Sequence, residues 1–347
     1  MNLPEWDGLR QAPTSNGSKS MLKSCVFFIH PEFAPKIVAL PTQAVFSMSI
    51  LFRLFILPLS KLPLSVLYRL SDGLYLLLYH WIGYRKKVVF GNLQRSFPEK
   101  SQEEIKEIAS DFYRHFCDII VESIRLFSMP AEEVKQRAVV TNPELLDHFY
   151  ETNRSLLVIA GHYGNWEIIA QAFGMYTKYP AMAIYAPIKN TALNDLMAAS
   201  RSRFGLELVS TRQVREWFPA NAHRAVAVIF GGDQSPSSRK KAFWMEFLNQ
   251  ETAVAFGCEK FAKAFNYPVV FGDITKVSRG YYSVTFHVVT NDPAQEEPGQ
   301  ITYKHTKMLE QNIRREPRYW LWTHRRWKRK RQIEEQVNAN LERGGMG

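Results

Sequence analysis

The sequence predicts an α/β protein with a mixed sheet flanked by helices, and three observations carry that prediction. Short apolar runs of strand length, Leu156 to Ala160, Ala181 to Tyr185, Ala225 to Phe230 and Pro268 to Ile274, alternate with longer stretches of helical period. Two of these runs break straight into glycine turns, Gly161-His162-Tyr163-Gly164 and Gly231-Gly232-Asp233, as buried strands do at the edge of an open sheet. The third observation is size. With 347 residues, 46% hydrophobic and 13% aromatic, the chain can build a full core and is not disordered as a whole. No internal repeat or evident second core divides it.

Residues 1 to about 35 are polar and without period, and they lack the charged start, apolar centre and cleavage site of a secretory signal. A more purposeful segment begins at Met48, so the natural start is expected there, with residues 1–47 a poorly ordered extension. Residues 48–87 form a hydrophobic, membrane-associating helical segment. Arg53, Lys61, Arg69, Asp72, Pro58 and Pro63 interrupt it, which favours an interfacial or embedded anchor over a plain spanning helix. Its aromatic end, Leu74 to Tyr84, runs into Arg85-Lys86-Lys87, a combination suited to a membrane boundary. A buried helix with a solvated basic end is the alternative.

Residues 88–347 make up the main domain. Ser101-Gln102-Glu103-Glu104 is a capping box, and Ile105, Ile108, Phe112, Phe116, Ile119 and Ile120 recur at helical spacing, so one long helix is expected to end near Met129-Pro130. Its His115 and Cys117 read as packing or surface residues, since no partner sits at metal spacing. Helices are then expected at Glu167 to Met175, Thr191 to Phe204 and Glu259 to Phe265, and a further strand at Tyr282 to Val289. From Arg314 to Arg331 basic residues interleave with Tyr319, Trp320, Trp322 and Trp327. Such a mixture suits phosphate-bearing surfaces; a solvated helix end is the alternative for Lys328 to Arg331.

Charge and cysteine content narrow the partners. The 44 Lys and Arg against 33 Asp and Glu leave +11, which points to an anionic partner: nucleic acid, acidic lipid or an acidic protein. Cys25, Cys117 and Cys258 are scattered, without CxxC spacing, so neither a disulfide framework nor a structural zinc site is expected. None is an obvious nucleophile.

The chemistry concentrates at Gly161-His162-Tyr163-Gly164-Asn165-Trp166-Glu167. His162 and Glu167 are five positions apart across a turn and helix start, close enough for the carboxylate to hold the imidazole in one tautomer. A histidine so held is a general base for a hydroxyl proton. A core histidine would need neither the glutamate nor the glycine pair, and a zinc site would need HExxH or a comparable set, which is absent.

Together with Gly231-Gly232-Asp233-Gln234-Ser235-Pro236 and Trp320-Leu321-Trp322-Thr323-His324-Arg325-Arg326-Trp327-Lys328, this motif resembles the late acyltransferases of lipid A biosynthesis, within the glycerolipid and lysophospholipid acyltransferase superfamily. The resemblance covers Met48 to about Arg331. It implies a glycerolipid acyltransferase-like fold and transfer of a fatty acyl chain from acyl carrier protein to a hydroxyl of a lipid A precursor, at the cytoplasmic face of the bacterial inner membrane. It also implies that His162 is the base, that Glu167 orients it, and that no cofactor, metal or nucleic acid takes part.

The backbone N–H groups from Gly164 through Asn165 to Trp166 are then candidates for stabilising the oxyanion. His324, Arg325 and Arg326, with Lys189 after the second strand, are candidate contacts to a phosphorylated acceptor. Asp233 either positions substrate or caps the following turn, with Gln234 beside it. One departure stands out: relatives often have Tyr-Arg-Pro where this chain has Tyr185-Ala186-Pro187. Lys189 can replace that arginine only as a point charge, without its bidentate fork. A lysophospholipid or aminolipid acceptor is the nearest alternative, and a non-catalytic membrane- or nucleic-acid-binding protein is the alternative of another class.

Overall fold

The computed structural model describes residues 52–238 and 242–331. The expected extension at 1–47 and the start at Met48 lie outside these residues. Helical turns at Phe52–Ile56 and Leu57–Ser60 lead to α1 (Leu64–Tyr75), which begins after Pro63 and winds on as a π-helix through Leu76–Trp81. Gly83 and Arg85, both at positive φ, turn the chain into α2 (Lys86–Ser96). Then comes α3 (Gln102–Arg125), the expected long helix. Ser101 accepts from the Glu104 N–H and Glu104 accepts from the Ser101 N–H, closing the capping box.

Beyond α3 the chain alternates as the sequence leads one to expect. It forms α4 (Ala131–Arg137), β1 (Ala138–Val140), α5 (Pro143–Glu151), β2 (Leu156–Ala160), α6 (Trp166–Phe173), β3 (Ala181–Tyr185), α7 (Thr191–Arg201) and β4 (Glu207–Ser210). It continues with α8 (Val214–Asn221), β5 (Ala227–Gly231), the hairpin β6 (Ala242–Phe247) and β7 (Gln250–Ala255), α9 (Gly257–Phe265), β8 (Val269–Ser278), β9 (Tyr281–Thr290) and α10 (Gln300–Arg315). Seven strands form one sheet in the order β1-β9-β8-β2-β5-β3-β4, mixed because β9 runs antiparallel to β8. Apolar side chains of β2, β5 and β8 sit in its centre under helices, which is why these strands read as uninterrupted apolar runs.

One alternative reading drops out: Lys328 to Arg331 are not a helix end, because α10 closes at Arg315 and, after a 3-10 turn at Pro317–Tyr319, the chain runs without a further helix through Arg331. Among the described residues no helix is long and apolar enough to cross a membrane. The early helices nevertheless leave large apolar side chains at the surface, including Phe55 (64% exposed) and Trp81 (84%).

Candidate active site

Strands β2 and β5 are parallel neighbours, with Ala160 opposite Gly231 at their C-terminal ends. The turns that leave them therefore emerge side by side, and Gly232 N–H extends the ladder to Ala160 O at 3.0 Å. That brings His162 and Asp233 together. The imidazole Nδ1 lies 2.6 Å from Asp233 Oδ1, while Oδ2 accepts from the His162 backbone N–H and from Trp320 Nε1, each at 2.8 Å. A Cβ on Gly231 would come within 3.1 Å of His162 Cε1, a tight contact that the bare strand end avoids.

Partner chemistry sets the tautomer. An ionised carboxylate only accepts, so Nδ1 bears the proton and Nε2 keeps its lone pair, 3.1 Å from the amide Nε2 of Gln234. The His162 side chain is 17% exposed. Burial alone would lower the imidazole's affinity for a proton, but the charge and hydrogen bond of Asp233 outweigh it, and the group is held above its ordinary 6.5. Burial would likewise raise Asp233; the neighbouring imidazole and the hydrogen bonds from His162 and Trp320 outweigh it and hold this carboxyl well below the usual range.

Glu167 is placed differently from what its spacing suggests. It is buried in the first turn of α6 and lies in the fork of Arg201, with Nη2 to Oε1 at 2.6 Å and Nε to Oε2 at 3.1 Å. The direct imidazole partner is Asp233. The reason is topological: sheet order brings a carboxylate from β5 to Nδ1, while α7 presents the last-turn Arg201 to the start of α6. Glu167 acts on His162 only through space, adding to the raised proton affinity.

The turn itself is fixed from behind. Gly164 adopts φ +56°, and a Cβ there would meet Ile274 Cγ2 at 2.8 Å, so no other residue fits. Asn165 is fully buried: its Oδ1 caps α6 by accepting the Ile168 N–H, and its Nδ2 donates to Glu122 of α3 at 2.7 Å. Its side chain is thus a structural clamp behind the turn.

The C-terminal motif also takes a place other than the expected one. Gly164 N–H donates to Tyr319 O and Leu321 N–H to His162 O, so this segment lies along the turn as its inner wall. Trp320 and Trp322 are buried, and Trp320 points its indole N–H at Asp233. His324 is buried and accepts the Ser235 N–H at 3.0 Å. Arg326 is only 2% exposed, donates to Ala253 O at 2.6 Å, and is lowered by burial to about 10. Neither of these two side chains offers itself to a phosphate at the surface, because the tryptophans carry the segment inside with them. Arg325 and Lys189 are exposed, the latter in the loop after β3.

Sequence reasoning missed Arg201, Trp320 as a donor to Asp233, and His115 and Glu122 behind the turn. Nothing in their spacing marks the arginine or the two α3 residues. The clustered tryptophans did signal burial, and were read instead as a surface. Burial raises the thiols of Cys117 and Cys258, which fits inert packing residues.

The comparisons with known proteins agree with one another. The family described as bacterial lipid A biosynthesis acyltransferase matches residues 31–329. The chain is similar to a lipid A biosynthesis lauroyltransferase of Escherichia coli (strain K12), 23% identical over 270 residues, 77% of this chain and 87% of that protein. It is similar also to a lipid A biosynthesis palmitoleoyltransferase of the same organism, 24% identical over 272 residues with 77% and 87% covered. A lipid A biosynthesis acyltransferase of Shigella flexneri matches to the same extent, at 24% identity over 272 residues. The chain is an acyltransferase and belongs to the bacterial lipid A biosynthesis acyltransferase family.

Proposed function

We propose that the chain transfers a fatty acyl group from an acyl carrier protein thioester to a hydroxyl of a lipid A precursor, with His162 as base and Asp233 as its orienting carboxylate. The observation that supports this most is the 2.6 Å contact between His162 Nδ1 and Asp233 Oδ1, which leaves Nε2, beside the Gln234 amide, as the nitrogen that takes a proton. The acceptor hydroxyl loses its proton to Nε2 as its oxygen attacks the thioester carbonyl. The new C–O bond forms, the C–S bond breaks, and the departing thiolate takes the proton back from the imidazolium. Backbone N–H groups at the start of α6 offer hydrogen bonds to the oxyanion between these events. Buried Glu167 and half-buried Arg201 serve as a strut that fixes α6 beside the base.

The acyl chain and the lipid acceptor reach such a site from a membrane surface. The exposed side chains of Leu54, Phe55, Leu70, Leu76, Trp81 and Ile82, with Arg53, Lys61 and Arg69 beside them, suit insertion into the boundary of an anionic cytoplasmic leaflet without a spanning helix. Vesicle flotation checks this: Trp81→Ser with Phe55→Ser weakens the association, and unchanged flotation would remove these helices from the contact.

The function is tested by mass spectrometry of a reaction containing purified chain, acyl carrier protein thioester and a lipid A precursor. The expected product is the precursor heavier by one acyl chain, absent with His162→Ala at retained folding. A product formed equally by that variant would contradict the reading.

A further inference from the structure

His115 is a buried histidine that the chemistry above does not use, and its two neighbours leave it one possible state. On one side Lys276 Nζ lies 3.2 Å from Nδ1; on the other, Gly164 O lies 3.3 Å from Nε2. An ammonium can only donate and a carbonyl oxygen can only accept. Nδ1 is therefore the acceptor and Nε2 carries the hydrogen, which makes the ring neutral and fixes its tautomer. Burial first, and then the Lys276 charge, push this imidazole well below its ordinary 6.5, consistent with that state. Lys276 is itself anchored, 3.7 Å from Asp118, and the ring packs edge-on to Tyr319 at 4.8 Å.

The carbonyl that this histidine grips belongs to the catalytic turn. The Gly164–Asn165 peptide is planar and trans, so its N–H points opposite to its C=O, away from α3. That N–H, with those of Trp166 and Glu167, precedes the first hydrogen bond within α6, made by Ile169 N–H to Asn165 O. The same helix α3 holds the other half of this residue pair, since Glu122, seven residues after His115, accepts from Asn165 Nδ2. An amide whose carbonyl accepts a polarised hydrogen bond is the better donor at its nitrogen.

We infer that His115, locked by Lys276, is a positioning residue that aims and polarises the Gly164–Asn165 amide for the oxyanion of acyl transfer. This rests on the acyl-transfer reading of the same turn. His115 touches no reacting atom; it acts through one peptide group.

The test uses the full chain in detergent, with His115→Gln, His115→Phe and Lys276→Met. Glutamine keeps an N–H where Nε2 stood, while phenylalanine keeps the volume and removes the donor. With acyl carrier protein thioester and lipid acceptor, kcat is expected to fall about tenfold in His115→Phe and Lys276→Met at nearly constant KM, and to stay within about threefold in His115→Gln. A purely packing role predicts lower thermal stability with unchanged kcat per folded molecule, and that result would overturn the inference. A second readout does not depend on turnover. Gly-Asn occurs only at Gly91-Asn92 and Gly164-Asn165, so carbonyl-13C-glycine with 15N-asparagine gives one reference signal and one from the turn. The Asn165 15N shift is expected to move in His115→Phe and Lys276→Met and to be nearly restored in His115→Gln. If it stays put in the first two, the inference fails even where acyl transfer is confirmed; if wild type transfers no acyl group, the functional reading fails and the amide shift still decides the alignment.

Discussion

The turn from Gly161 to Glu167 and the segment from Tyr319 to Arg326 lie against each other, hydrogen-bonded through His162 O and Gly164 N. The turn displays its candidate chemistry in its own residues: a histidine, two glycines and a carboxylate at the head of a helix. The segment looks like a phosphate-seeking surface and is instead an inner wall that delivers an indole N–H to Asp233. Residue types at a strand end reveal that a site exists, whereas the partners each residue takes are decided by which strands and segments the sheet brings together.

The sharpest way to break this contrast is at Asp233. Asp233→Asn keeps the shape and removes the charge, and kcat is expected to fall by roughly 10³–10⁴-fold, since the amide favours the wrong tautomer. The pH profile should move with it. The proposed base works only when neutral, so wild-type kcat/KM is expected to rise as pH passes the His162 value, above 6.5. Without the Asp233 charge, burial dominates and that limb moves to lower pH. An unmoved limb would return the orienting role to another group.

A smaller effect is expected at the wall. Trp320→Phe retains the buried ring and removes the hydrogen bond to the carboxylate, and kcat/KM should drop about tenfold. The same loss at unaltered pH profile would show that the wall holds position rather than charge. Smallest in turnover is Arg326→Met, which fills the buried space without the guanidinium. Acceptor KM should stay within about twofold while the thermal midpoint shifts, because Arg326 braces β7 through Ala253 O. A tenfold rise in acceptor KM would restore the surface reading of this segment.

Much of the fold was legible for a plain reason. β2 and β3 match the expected runs residue for residue, and the capping box of α3 forms as written, because buried parallel strands and helix caps are local patterns. β1, β4 and the β6–β7 hairpin went unread: the first two are three and four residues long, and the hairpin packs outside the main sheet. α10 was hidden by its own basic residues, although Ile301, Leu309 and Ile313 mark its buried face. At the turn, the position of His162 at a strand end was legible. The identity of its carboxylate was not, since Glu167 is five positions away in sequence and Asp233 is 71, and only strand order makes the distant one adjacent.

The central proposal is that Asp233, and not Glu167, governs the His162 imidazole. It is tested most directly by titrating His162 by NMR, with ring-15N histidine, in wild type, Asp233→Asn and Glu167→Gln, each checked for folding. The predicted result is a wild-type value above 6.5, a large drop in Asp233→Asn with Nδ1 losing its fixed proton, and a small change in Glu167→Gln. A large drop in Glu167→Gln with little change in Asp233→Asn would contradict it.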